Sequence, residues 1–279
     1  MPNTINYATT YISQQATIDA LFSAHSLANI FRKPNKVVDG KYVKIQKITF
    51  DSLVQGNYSR ATGLSQKSFT LDWVQKELTQ DKGDILAFEK TDSEEARADG
   101  VIGIYNKYSR DVAIPTSDKY VFAQIIAGAG TTSAVTPLTD SNINTSVLAA
   151  FAVLDEVRAS DNALVLLATP KTLGLLRANA LTKGLFNQGV WNGQIGTEVA
   201  LFDNARIIKV PESHLGTKTG FVLCNADAVD FQVKTEGSVY RPDVPGFAGR
   251  MEHVEYSIYY DCWIIPGGEK AVYVHKIAA

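Results

Sequence analysis

The chain has 279 residues, of which 45% are apolar and 20% are charged, and its formal net charge is −2. This composition excludes a wholly disordered chain, and the near-neutral charge argues against a protein that coats nucleic acid through its overall charge, while a local basic patch stays compatible with it. The length predicts one large domain or two modest ones.

The N-terminus and the cysteines give further expectations. The N-terminus has no basic region followed by an apolar stretch, so no secretory signal is expected. The longest apolar run, 163–168, is far shorter than the ~20 residues of a membrane-spanning helix. We therefore expect a soluble protein made in a cytoplasm-like compartment. Its two cysteines, Cys224 and Cys262, are expected to be buried and reduced, with one bridge between them as the alternative.

Charge is distributed unevenly along the chain. Residues 1–30 carry −1, residues 31–67 carry +6, and residues 68–279 carry −7. A basic leading segment on an acidic body is typical of a subunit whose front contacts the body of its neighbour. A solvated surface with no partner explains the same charges equally well.

The first predicted elements are an arm and a hairpin. Residues 16–31 have the loose helical pattern of a docking arm. Residues 41–50 and 68–74 alternate as strands, and the polar segment 51–67 predicts a long tip between them. The alternation changes phase after Lys47, which we interpret as a β-bulge. Because a two-stranded ribbon is marginal in water, its apolar side needs a cover from this chain or from another copy.

A long helix is predicted next. Residues 94–112 place apolar side chains on one stripe, after acidic residues that suit the first turn of a helix. We expect Pro115 to interrupt this helix, and the run 120–127 fits either a helix or a strand. The small-residue segment 128–140 predicts a linker and a domain boundary.

The rest of the chain mixes helices and strands. Residues 143–158 predict a helix, and the apolar run 163–168 predicts a buried central strand. Thr169-Pro170 has the pattern of a helix start. After a glycine-rich loop at 184–196, short strands are predicted at 199–202, 205–210, 220–224, 253–265 and 271–277. This order is typical of an α+β fold rather than of repeated βαβ units.

A search for catalytic motifs finds none in the sequence. It has no G-x-S-x-G, H-E-x-x-H, Walker A or EF-hand pattern, and its four histidines lack the spacing of metal ligands. Gly128-Ala-Gly130 is a weak match to a phosphate-binding loop, because the third glycine and the later acidic residue are missing. The acidic residues at 92–99 are interpreted as helix capping. We therefore predict no catalytic residue, cofactor or metal.

Several hairpin side chains are candidates for contacts between subunits. The basic ones suit acidic protein surfaces better than nucleic acid, because no aromatic platform is interleaved with them apart from Tyr42 and Tyr58. Trp73 is a candidate anchor for such a contact, with core packing as an equal alternative. The predicted interface residues are Lys44, Lys47, Gly56, Asn57, Arg60, Lys67 and Trp73.

The order of these parts resembles the major capsid proteins of tailed bacteriophages, which have the Hong Kong 97-type fold. The resemblance rests on the arm, the projecting hairpin, the long helix followed by Ile114-Pro115, the strand-to-helix segment 163–170 and the closing strands between 255 and 276. It implies an N-terminal arm at 1–36, an extended loop at 37–84, a peripheral domain with a spine helix at 85–141, an axial domain at 142–249 and closing strands at 250–279.

The resemblance also implies a function. It implies a structural protein, not an enzyme, that assembles as pentamers and hexamers into an icosahedral virion shell around double-stranded DNA. The implied partners are other copies, a separate scaffolding protein, a portal and the packaged DNA, without membrane or cofactor, and the implied site of synthesis is the cytoplasm of a bacterial host. An encapsulin-like nanocompartment shell with the same fold is the alternative. A soluble α/β enzyme that uses the Gly128 loop is a remote alternative.

Overall fold

The computed structural model describes residues 26–34, 40–51, 54–61, 63–89, 105–157, 163–183, 200–202, 205–241 and 251–278. Several predicted features lie outside these residues: the arm before residue 26, the long helix at 94–104 with its acidic cluster, and the glycine-rich loop 184–196. The described strands form a two-stranded, a three-stranded and a six-stranded sheet.

The strands are β1 (Tyr42–Phe50), β2 (Phe69–Glu77), β3 (Gln80–Glu89), β4 (Thr131–Thr132), β5 (Leu164–Ala168), β6 (Ala200–Phe202), β7 (Ala205–Lys209), β8 (Thr219–Asn225), β9 (Val229–Arg241), β10 (Met251–Ile264) and β11 (Val272–Lys276). The helices are α1 (Ile114–Ala127), α2 (Ile143–Glu156), α3 (Pro170–Lys183) and the short α4 (Glu212–Leu215). Short 3₁₀ turns lie at Leu27–Phe31, Ala226–Ala228 and Glu269–Ala271.

The six-stranded sheet has the order β4-β11-β8-β5-β7-β6. β5 lies inside it, parallel to β7 and antiparallel to β8, and all its residues are buried. Successive side chains of a strand point to opposite faces. Leu164, Leu166 and Ala168 therefore pack with α2 and α3, whereas Val165 and Leu167 pack with α1. The predicted buried central strand is confirmed.

The helices on this sheet begin close to the predicted positions. α2 buries Ile143, Val147 and Phe151 against the sheet, and Leu148 on its outer side is 53% exposed. α3 begins where the Thr169 hydroxyl accepts a hydrogen bond from the N–H of the third residue after it, at 3.3 Å. The predicted helix start is therefore confirmed.

The three-stranded sheet has the order β3-β10-β9 and packs one face against α1 and the helical residues before it. Tyr260 of β10 meets Tyr120 of α1 edge to face, with ring centroids 5.7 Å apart. Tyr256 and Tyr105 make a similar contact at 6.2 Å. Aromatic pairs in this geometry stabilise the packing beyond the area they bury.

β3 is a strand that the sequence pattern does not reveal. It pairs with β10 from Gln80 opposite Tyr260 to Glu89 opposite Met251. β3 lies at the edge of its sheet, and its first half is polar and mostly exposed, so no apolar alternation marks it. The range 37–84 expected for the extended loop thus includes residues that pair with the body.

The helix that contains Pro115 corrects one expectation. Residues 105–127 are helical throughout, so the predicted interruption is wrong and residues 120–127 form a helix rather than a strand. Ser109–Ala113 form a π-helical turn, in which the N–H of Ile114 bonds to the carbonyl of Ser109. A proline ring clashes with the carbonyl four residues earlier in an α-helix. The wider π turn directly before Pro115 makes room for that ring.

The small-residue segment 128–140 runs along an edge of the six-stranded sheet. Within it, β4 pairs in parallel with β11, and the N–H of Ser133 bonds to the carbonyl of Val274 at 2.9 Å. A Cβ on Gly130 would lie 2.5 Å from the carbonyl oxygen of Glu269. The glycine is therefore explained by close backbone packing rather than by a phosphate-binding loop.

Residues 26–34 dock on the body through a buried carboxylate. Asp118 of α1 accepts hydrogen bonds from the Ser26 hydroxyl at 2.6 Å and from the N–H groups of Leu27 and Ala28 at 3.0 and 3.2 Å. Burial raises the pKa of Asp118, and these hydrogen bonds oppose the rise. The described part of the predicted arm is thus tied to α1.

Both cysteines are free and buried, which confirms that expectation. Burial raises the pKa of Cys224 to about 12 and also raises the pKa of Cys262. Both thiols are therefore protonated near neutral pH, and the folded chain shields them from alkylating reagents.

The burial of β5 predicts a large difference between two identical substitutions. Leu166→Ala removes a side chain with 0% exposure, so we expect it to lower the free energy of unfolding by about 3 kcal/mol. Leu148→Ala, at the exposed side of α2, should change that free energy by less than about 0.5 kcal/mol. Urea unfolding followed by circular dichroism measures both values. Equal losses would contradict the assigned core.

Candidate subunit interface

Among the described strands, β1 and β2 pair only with each other, as a two-stranded ribbon. Their register runs without a shift from Tyr42 opposite Glu77 to Phe50 opposite Phe69. The predicted hairpin is therefore confirmed, and the β-bulge predicted after Lys47 is wrong. A ribbon of this kind needs apolar contacts with another element for its stability.

The change of phase in the sequence reflects a change of face along the ribbon. Directly opposed residues of an antiparallel pair lie on the same face. Near the base, Val43 and Ile45 lie on one face and pack against Leu78 and Trp263 of the body. Beyond Lys47, the apolar side chains lie on the opposite face. The body thus covers one face of the ribbon at its base only.

The outer part of the ribbon carries an exposed row of apolar side chains. Ile48 lies opposite Leu71, and Phe50 lies opposite Phe69 with ring centroids 6.4 Å apart. The exposed fractions in this row lie between 43% and 62%. Contiguous exposed apolar surface marks a contact site. We call this row the apolar strip; it consists of Ile48, Phe50, Phe69, Leu71 and Trp73.

Two predicted basic residues lie on different faces of the ribbon. Lys44 shares the face of the apolar strip. It lies two residues before Gln46, which is directly opposite Trp73. Lys47 lies on the other face, directly across from Asp72. Both lysines are exposed. The structure therefore brings Lys44 and Trp73 onto one surface and leaves Lys47 on the reverse side.

The tip reverses a few residues beyond the predicted glycine. Ser59 and Gly63 exchange two backbone hydrogen bonds, of 3.1 and 2.7 Å, so the turn lies between them. Gly56 and Asn57 precede this turn and are exposed. A Cβ on Gly56 would lie 1.8 Å from the Oγ of Ser65, so the two sides of the tip approach closely at a position that suits glycine.

Other charged residues lie at the two ends of the ribbon. At the tip, Arg60 is exposed, while the ammonium of Lys67 donates a hydrogen bond to the backbone carbonyl of Val54. At the base, Lys41 pairs with Glu77, whose hydrogen bond and charge raise the pKa of Lys41. Exposed pairs of this kind contribute little to stability.

Two of the histidines contact neighbouring side chains. His275 stacks on Phe221 with ring centroids 4.9 Å apart, and burial lowers the pKa of His275. His253 contacts Glu255 at 2.8 Å. Within the described ranges, no group of three or more His, Cys, Asp or Glu side chains is placed to hold a metal ion. The helices in this part of the chain are too short or too polar to cross a membrane.

Sequence analysis identifies only Trp73 of the apolar strip. The signal for the other members is present in the sequence as the change of phase after Lys47. The pattern of one strand alone does not distinguish a bulge from a change of the buried face. The register with β2 decides the question, because it is continuous.

Solved structures from phages and from a virus-like particle have a fold similar to that of this chain. A capsid structure of cyanophage P-SCSP1u shares 13% identity, covering 89% of this chain and 86% of that chain, with a TM-score of 0.68. A structure from Mycobacterium phage Che8 shares 15% identity over 85% of each chain, with a TM-score of 0.60. A virus-like particle from Pyrococcus furiosus shares 12% identity, covering 95% of this chain and 99% of that chain, with a TM-score of 0.61.

The chain has the Hong Kong 97-type capsid fold. The predicted mixed fold of helices and sheets is therefore confirmed. The sequence itself matches no family model and no curated protein. The likeness thus lies in the three-dimensional arrangement rather than in sequence.

The apolar strip predicts a loss of association from a double substitution. Phe50→Ser with Phe69→Ser should leave the free energy of unfolding within about 1 kcal/mol, because both rings are already more than half exposed. Self-association should weaken at least about tenfold, as for a hot-spot pair. Sedimentation velocity over a concentration series measures it.

The matched control is Thr49→Ser with Thr70→Ser. These two residues are directly opposite each other, one position nearer the base than the phenylalanine pair and on the other face of the ribbon. This variant should associate like the parent chain. An equal loss in both variants, or no loss in the phenylalanine variant, would show that the strip is not a contact surface.

Proposed function

We propose that the protein is a structural shell protein, the major capsid protein of a tailed bacteriophage. Copies of it assemble as pentamers and hexamers into an icosahedral shell around double-stranded DNA. The observation that carries the proposal is the projecting ribbon with its apolar strip, on a chain that has a capsid fold. An exposed strip of this kind on a two-stranded ribbon is stable when another copy covers it.

The geometry of such a contact suits a closed shell. The strip of one copy meets a different surface of its neighbour, so the contact is heterologous. Heterologous contacts generate rings, and curved rings close into shells. The charge distribution supports the same arrangement, because the segment 31–67 is basic and the remainder of the chain is acidic.

The proposal includes the division of the chain and its partners. Residues 1–36 are the arm, 37–84 the extended loop, 85–141 the peripheral domain, 142–249 the axial domain and 250–279 the closing strands. A scaffolding protein and a portal join the shell during assembly in the host cytoplasm. The packaged DNA is contacted without sequence preference, and the finished protein resides in the virion.

A second candidate is the shell of a nanocompartment that encloses a cargo protein. It is favoured by the likeness to the Pyrococcus furiosus virus-like particle, which covers 99% of that chain. The two candidates share the shell and differ in its contents.

Sedimentation of the native protein, with negative-stain imaging of the fastest fraction, tests for the shell, and nuclease digestion then distinguishes DNA from protein contents. A compact monomer under all conditions, with or without scaffold, would overturn both.

Replacing residues 52–66 with Asn-Gly, which leaves Asn-Gly-Lys67 as a three-residue loop between Asp51 and Ser68, should abolish closed shells and leave the body folded. The two strands can still be joined, because the N–H of Asp51 bonds to the carbonyl of Ser68 at 3.2 Å. The described residues of the tip are not part of the two large hydrophobic clusters, so thermal unfolding should be unchanged. Electron microscopy counts the shells. Normal particles from this variant would contradict the interface assignment.

Assembly should weaken as ionic strength rises, because exposed charges are screened beyond about 8–10 Å in physiological salt. Light scattering at a series of salt concentrations measures the slope with which assembly decreases as salt is added. Lys44→Gln with Arg60→Gln should flatten the slope, whereas Lys218→Gln, an exposed lysine outside the ribbon, should leave it unchanged. A slope that is the same in all three proteins would remove the basic residues from the interface.

A further inference from the structure

The ribbon joins the body at two short junctions that lie side by side. Gly40 and Lys41 precede β1, and Leu78 and Thr79 separate β2 from β3. The N–H of Leu78 bonds to the carbonyl of Lys41 at 2.9 Å. β2 belongs to the ribbon and β3 to the three-stranded sheet, so the direction of the ribbon is decided within these residues.

A buried carboxylate holds the second junction. Oδ2 of Asp261 accepts hydrogen bonds from the N–H of Thr79 at 3.0 Å and from its hydroxyl at 2.7 Å. Oδ1 accepts from the hydroxyl of Tyr120 at 2.8 Å and from the N–H of Cys262 at 2.7 Å. Each oxygen thus has two donors, the full set for a carboxylate. We call Asp261, Thr79 and Tyr120 the clasp.

Other contacts at the junctions come from β9 and β10. The hydroxyl of Tyr259 donates to the carbonyl of Leu78 at 2.8 Å, and the ammonium of Lys234 donates to the carbonyl of Gly40. Leu78 also packs on Trp263, and apolar contacts of that kind impose no direction. The clasp differs because it links the junction to α1 as well as to β10 through directional hydrogen bonds.

We infer that the clasp is a positioning device that fixes the direction in which the ribbon leaves the subunit. Its consequence rests on the proposed shell function, since the direction of the ribbon sets the angle at which two copies meet. A small error in that angle repeats at every contact and decides whether rings close. The three residues lie at the base of the ribbon, so the effect assigned to them is on its direction.

The direct test measures the direction of the ribbon in the folded chain. Nitroxide labels on Thr70→Cys and Lys119→Cys, both exposed positions, report the distance between ribbon and α1, while the native thiols stay buried. Labelled chains are diluted into unlabelled chains, so that only pairs within one chain are measured. The parent chain should give one narrow distance distribution.

The variant is Thr79→Val with Tyr120→Phe, which removes two hydroxyls and keeps the side-chain volumes. Its distance distribution should be at least about twofold wider, because the junction loses directional bonds and opens locally. The matched control is Tyr108→Phe. Tyr108 lies on the same helical stretch and donates its hydroxyl to Asp84 of β3, away from the junction. An unchanged distribution in the double variant, or equal broadening in the control, would overturn the inference.

A second measurement separates this inference from the proposed function. Particle diameters by electron microscopy should be uniform for the parent and for Tyr108→Phe and scattered for the double variant. If the parent forms no shells under any condition, with or without scaffold, the proposed function fails, and the distance measurement still decides the clasp. Broadened distances with uniform shells would overturn the link to assembly. Should the double variant fail to fold, Thr79→Val alone retains the backbone bond to Asp261 and is measured instead.

Discussion

Both faces of the β1–β2 ribbon carry apolar side chains, and the subunit covers only one of them. Val43 and Ile45 meet the body near the base, whereas the apolar strip further out faces away from that contact. A bulge would have returned the outer apolar residues to the covered face, but the register is continuous. Two features follow from this constraint. The exposed strip needs a cover from another copy, and the junction at the base sets the direction in which the strip points.

The elements that sequence analysis predicts well are those whose burial is simple. β5 is apolar at every position because both of its faces are covered, and α2 has a single buried stripe. Trp73 and the lysines of the candidate interface are also predicted, because their residue types alone make them candidates for a contact. The other members of the strip escape, since one strand does not reveal which face its partner and the body will bury.

Elements whose environment comes from distant parts of the chain escape prediction. β3 is polar in its first half because it lies at a sheet edge, and β10 supplies its pairing from residues far along the chain. Pro115 continues a helix because a π turn precedes it, and no local rule of helix termination includes that turn. Gly130 resembles a ligand loop, although its space is filled by the backbone of Glu269. For β3 and Gly130 a tertiary contact overrides the local pattern, whereas for Pro115 the preceding π turn does.

The position of β11 has a consequence for the order in which the protein folds during translation. β11 lies between β4 and β8, although it follows both in the chain. The six-stranded sheet therefore closes only after residues 272–276 have left the ribosome, whereas the ribbon can pair once residue 77 has emerged. For most of its synthesis, the nascent chain carries the apolar strip without a finished body behind it. That interval is when unproductive association threatens most, and a folding helper would act there.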